Sequence, residues 1–242
     1  MTSAFLWGLV AALSLVAGAA VVTVYRPSER VLGLVMGFGA GVLISAVSFE
    51  LVLEAATLSG AGAVTGLFAG TLVFVAGDWA ISRMGYQDRK NIAGAAQAAS
   101  GTAIVLGIVL DGIPESAVVG LTLLQGGVSV SMLVAVFVSN LPESVAATTS
   151  LRAAGWRWSR LFTLWGGVAI ASGLAAAAGY GLLADSSDAA VAVVLSFAGG
   201  AILAMLSTTM MPEAYKHAGR WVGVATTVGF AVSFAIHWAT TG

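Results

Sequence analysis

Long apolar stretches, each broken off by a short polar turn, dominate this chain and constrain its fold more than any other feature. Eight run from about 4–24, 31–55, 63–82, 98–124, 128–151, 161–183, 189–215 and 221–238. Each is long enough to cross a hydrocarbon core of about 30 Å as a helix. They are continuously apolar, which excludes a β-barrel, whose strands alternate over about ten residues. Only 10 basic and 11 acidic residues occur in 242, and the net charge is −1. That composition excludes an ordinary soluble domain and a nucleic-acid-binding surface. The absence of cysteine excludes a disulfide framework and thiolate chemistry. The expected fold is therefore an all-α polytopic membrane protein, one transmembrane domain over 1–242.

The basic residues set the expected orientation. Arg26 and Arg30 follow span 1, Arg83, Arg89 and Lys90 follow span 3, Arg152, Arg157 and Arg160 follow span 5, and Lys216 and Arg220 follow span 7. All ten thus fall in alternate loops, on one side; the opposite side carries Asp185 and Asp188. Positive loops stay in the cytoplasm. Eight spans with both termini outside a cell membrane follow. Span 1 has no basic residue before its apolar run, unlike a signal peptide, and reads as a retained span. Trp79, Trp156, Trp158 and Trp221 fall near the inner boundary, Trp7 and Trp238 near the outer one, where amphipathic rings settle.

Two internal repeats stand out. Asp111-Gly112-Ile113-Pro114-Glu115-Ser116 in span 4 is echoed by Asn140-Leu141-Pro142-Glu143-Ser144 in span 5. Phe38-Gly39-Ala40-Gly41-Val42-Leu43 in span 2 is echoed by Phe197-Ala198-Gly199-Gly200-Ala201-Ile202 in span 7; at the same offset Ser48 matches Ser207, Glu54 matches Glu213 and Ala55 matches Ala214. Spans 2 and 7 should run in opposite directions, so the repeat is inverted. Inverted repeats around interrupted helices are a transporter signature.

Asp111, Glu115 and Glu143 fall in mid-span, and every Lys and Arg has been placed in a loop. Their charges call for protons, water or a bound cation. Asp111 and Glu115 are one helical turn apart, as are Asn140 and Glu143, and Ser139 and Glu143. Pro114 and Pro142 lack an N–H, which releases the carbonyls of Leu110 and Val138 from the helix ladder. Carboxylates, an amide and carbonyls form an all-oxygen set suited to a hard or borderline divalent cation. The expected metal-binding residues are Asp111, Glu115, Asn140 and Glu143, with Ser139 beside them. Glu50 and Glu54 near one end of span 2, and Glu213 near the opposite face on span 7, are accessory or pathway candidates with Ser48. Ser45 and Ser48 either line a path or bond their own helix backbone. Asp78 is expected to reach toward Arg83. His217 and His237 read as lone surface histidines.

At these motifs the sequence resembles the ZIP (Zrt/Irt-like) family of divalent-metal transporters, over essentially the whole chain. Typical members carry His-Asn-x-Pro-Glu-Gly on span 4 and a similar x-Pro-Glu motif on span 5. Here Asp111 stands in place of the usual His and Gly112 in place of Asn, while Glu115, Asn140 and Glu143 keep the expected groups. Span 6 has no carboxylate for a second metal position, and 83–91 lacks the histidines common in that loop. The resemblance implies a homodimer that passes divalent metal into the cytoplasm, with no resident cofactor. Replacing imidazole by carboxylate suits Mn²⁺, Fe²⁺ or Mg²⁺ at least as well as Zn²⁺. The alternative is a proton-coupled carrier of another cationic solute. Enzyme chemistry is not expected: no His lies at mid-depth to serve a nucleophile, and His-Glu-x-x-His is absent.

Overall fold

The computed structural model describes residues 1–25, 27–83, 112, 115–123 and 129–241. All regular structure among them is helical. The helices are α1 Thr2–Val24, α2 Glu29–Leu58, α3 Gly60–Arg83, α4 over 115–122, α5 Val130–Ala153, α6 Trp158–Leu183, α7 Asp188–Ala218 and α8 Trp221–Thr241. Seven of these are long and apolar enough to cross a membrane. The chain is thus a multi-pass helical membrane protein. The expected first part of span 4, with Asp111 and Pro114, and most of the loop before it lie outside the described residues.

The helices sort into two groups. α2, α3, α7 and α8 pack together, with α3 against α7 and α8 against α2. α1 packs on α5 and α6, and Gly120 of α4 lies against Ala176 of α6. α2 and α5 join the groups. In a membrane lipid competes for apolar surface, so close backbone approach supplies much of the attraction. Gly39 accordingly sits against the Val138–Ser139 backbone, where a Cβ would come within 3.3 Å of the Ser139 Cα.

Helix starts explain where the sequence boundaries fell short. Ser28, Ser129 and Ser187 cap α2, α5 and α7 by accepting from the N–H groups of Val31, Met132 and Ala190. Capping extends α2 back to Glu29 and α7 back to Asp188, beyond the expected 31 and 189. α2 and α7 also continue past the expected ends, to Leu58 and Ala218.

The 2/7 repeat is visible in the backbone. Adding 159 to a residue number maps α2 onto α7, as Phe38 onto Phe197. By the same offset the capping Ser28 maps onto the capping Ser187. Each helix contains a π-helical segment, Val47–Val52 in α2 and Leu206–Met210 in α7, and the two begin at equivalent residues. Gly33 lies by Ala214 and His217, whereas Gly199 lies by Val47, Leu51 and Val52, so the two helices run antiparallel. The inversion expected from sequence is present.

Candidate functional site

α4 and α5 carry the site residues, and α2 packs on α5 beside Ser139 through Gly39. Glu115 opens the described part of α4 and is 1% exposed. It meets α5 at Ser139, whose Oγ lies 3.5 Å from Glu115 Oε1 and also donates to the Val136 carbonyl at 3.1 Å. Asn140 and Glu143 follow on α5, and both are buried. α5 stays helical through Pro142. Thus Glu115 and Ser139 are brought together, and Asn140 and Glu143 are buried within one turn of Ser139 along α5. Asp111, the remaining expected ligand, lies outside the described residues. Among the described residues no three His, Cys, Asp or Glu side chains form a metal-binding group. Two acids and an amide are what the described part of α4 and α5 offers a cation.

The pathway candidates fall at both ends of the bundle. Glu50 lies in the π-helical segment of α2. Its Oε1 accepts from Ser131 of α5 and contacts Nδ1 of His237 on α8 at 2.7 Å. The imidazole is stacked on Phe49, centroid to centroid 5.3 Å. Glu50 therefore touches both helix groups at one end. Glu54, one turn on, is half-buried. Ser48 Oγ donates to the Ile44 carbonyl at 2.8 Å, which assigns it to its own helix backbone. Ser45 is buried, and its hydroxyl has no hydrogen-bond partner among the described residues.

At the basic end Glu213 behaves differently. Its Oε1 lies 2.8 Å from His217 Nε2, and His217 Nδ1 lies 3.2 Å from Glu29 Oε2. The His217 side chain is 3% exposed. The two histidines are thus not lone surface residues, contrary to the expectation: each is held by a glutamate on a neighbouring turn or helix. His217 had a legible signal, since it follows Glu213 at i,i+4 on one face. The His237–Glu50 contact joins helices 187 residues apart and leaves no local trace.

His217 bridges two carboxylates through nitrogens on opposite edges of its ring. Those vectors diverge, so no single point lies within coordinating reach of all three groups. The arrangement ties α7 to the start of α2 and is not a chelate.

Fold and site together define a multi-pass helical membrane protein with buried acids where two helices cross. Comparison with known proteins gave no match, either to a protein-family model or to a curated protein.

Proposed function

We propose that this protein moves divalent metal cations across a membrane, toward the cytoplasm, through a site on α4 and α5. Asp111, Glu115, Asn140 and Glu143 would hold the ion. The observation that carries this reading is the buried Glu115–Ser139 contact between α4 and α5, with buried Asn140 and Glu143 following within one turn. Buried acids in a spanning segment mark ion or proton pathways. The inverted α2/α7 pair supports the same reading, because transporters place their sites between such repeats. The Pro-Glu motifs look like those of the ZIP family, and the proposal includes that family's eight spans, external termini and homodimer. α3 runs parallel to α7, with Gly62 by Ala189 and Gly70 by Phe197, and α5 runs antiparallel to α2, with Gly39 by Ser139 and Glu50 by Ser131; because α2 and α7 are antiparallel, α3 and α5 share a direction, which supports one further crossing between them.

The test is element-resolved uptake from a mixed-metal buffer into proteoliposomes. Glu115→Ala and Glu143→Ala should each cut metal uptake about tenfold or more, a loss of ~1.4 kcal/mol at least. Unchanged flux in both variants would remove the site assignment. Uptake driven by a pH gradient in metal-free buffer would instead favour a proton-coupled carrier.

A further inference from the structure

The basic end of the bundle has a feature of its own, more than three helical turns along α5 from Ser139. α1, α5 and α6 leave a cavity of about 170 Å³ there, lined by Val22, Thr149, Arg152, Ala153 and Trp158. Its walls are mostly apolar, and its one charged group is the Arg152 guanidinium. That group is fixed from two sides. It donates to the Trp156 carbonyl and lies 4.6 Å from the centre of the Trp158 ring. One N–H of its fork is used in this way. The others find no protein acceptor among the described residues.

Charge around the cavity is one-sided. Arg157 and Arg160 stand on the same turn, and the Arg160 guanidinium lies 3.6 Å over the Trp156 ring. The chain from 144 to 184 contains no Asp or Glu. Among the described residues none of these three arginines pairs with a carboxylate. The N-terminus of α6 opens on the same edge, and its cap Arg157 makes no side-chain bond to the helix N–H groups. A guanidinium fork is matched to the paired oxygens of a phosphate. Trp156 and Trp158 suit the headgroup depth.

We infer that this cavity binds the phosphodiester headgroup of an anionic phospholipid, with Arg152 as the phosphate-binding residue. The apolar walls formed by Val22 and Ala153 take the adjoining glycerol and upper acyl carbons. Basic pockets between spanning helices on the cytoplasmic side bind anionic headgroups for the same reason. The mixed lining selects a lipid over a free anion, because a free phosphate would leave the apolar walls wet.

Native mass spectrometry of the purified full chain tests this. The protein is released from micelles containing equal phosphatidylglycerol and phosphatidylcholine. One retained lipid per chain should be phosphatidylglycerol, in about fivefold excess over phosphatidylcholine, the order expected for ~1 kcal/mol of headgroup preference. Arg152→Gln should abolish the excess. Because Arg152 also holds the turn at Trp156, a second variant is needed. Ala153→Phe fills the cavity from an exposed position and keeps every arginine; it too should abolish the excess. Equal retention of both lipids overturns the inference. So does an excess that survives Ala153→Phe, which would put the lipid elsewhere on the arginines. Displacement of the lipid by millimolar inorganic phosphate would make this a free-anion site and overturn the lipid assignment.

Discussion

The α2–α8 pair and the α7–α3 pair are built on one backbone plan and carry different chemistry. An added Cβ at Gly41 of α2 would come within 1.9 Å of the Thr226 carbonyl oxygen on α8; at the equivalent Gly200 of α7 it would come within 2.0 Å of the Leu67 carbonyl oxygen on α3. An added Cβ at Gly229 would come within 2.0 Å of the Phe38 carbonyl oxygen, and one at Gly70 within 1.8 Å of the Phe197 carbonyl oxygen, again equivalent pairs. Ser48 and Ser207 bond equivalent carbonyls, both at 2.8 Å. The polar ties do not follow suit. Glu50 and His237 form a pair in one half, and Thr209 and Asp78 occupy the equivalent places in the other. Glu213 has His217 one turn on, whereas Glu54 has Leu58. Close helix contact tolerates little variation, so both halves repeat it. The side chains at the two ends are free to differ, which makes the ends of the bundle chemically unequal.

Adding a methyl where the halves agree should have the largest effect. Gly41→Ala and Gly200→Ala each force backbone carbonyls apart. Each should cost about 1–3 kcal/mol, the usual range for overpacking, and the two costs should match. Gly166→Ala, where nothing lies within 4 Å of the added carbon, should cost nothing measurable. Unfolding in mixed micelles, followed by helix content, measures all three. A large cost for one glycine and none for the other would show that the two contacts do unequal work.

The repeated plan was partly legible. The Phe-Gly-Ala-Gly string and its echo at 197 mark the helix contact, because glycine clusters in apolar runs have few other uses. The caps at Ser28 and Ser187 stand at the same offset, yet a single Ser before an apolar run is too common to single out. The π-helical segments were not legible, since no residue type specifies an i→i+5 turn. The site divides similarly. Glu115 and Glu143 announce themselves as acids in apolar helices without a base, and both are buried. His237 was misread because its partner is distant in sequence, and His217 because an inner-loop assignment hid that it continues the helix from Glu213.

Where the halves disagree, Glu50 and His237 offer the next test. Their side chains are 13% and 19% exposed, so solvent screens the contact only in part. A double-mutant cycle with Glu50→Ala and His237→Ala should give a coupling of about 1–2 kcal/mol, a charge-assisted hydrogen bond in a part-buried setting. The cycle on Thr209→Ala and Asp78→Ala, the equivalent places, should give a smaller coupling. Equal couplings would mean that the second half keeps the same tie in other residues, and that the ends differ less than their side chains suggest.

The smallest effect expected is at the basic end, where His217 touches two glutamates of unequal exposure. Glu213 is 13% exposed and Glu29 55%. Water and salt screen the outer contact, so Glu29→Gln should change stability by no more than about 0.5 kcal/mol. Glu213→Gln should cost more, because its contact is shorter and shielded. The position equivalent to Glu29 is Asp188, also in the first turn of its helix. Asp188→Asn should match Glu29→Gln if each acid does no more than favour a helix N-terminus, a contribution at the low end of about 0.3–1 kcal/mol. A cost for Glu29→Gln equal to that of Glu213→Gln would instead make Glu29, His217 and Glu213 one cooperative unit. That unit would fasten α7 to α2 at the basic end alone, and the two halves would differ in how they are held as well as in what they carry.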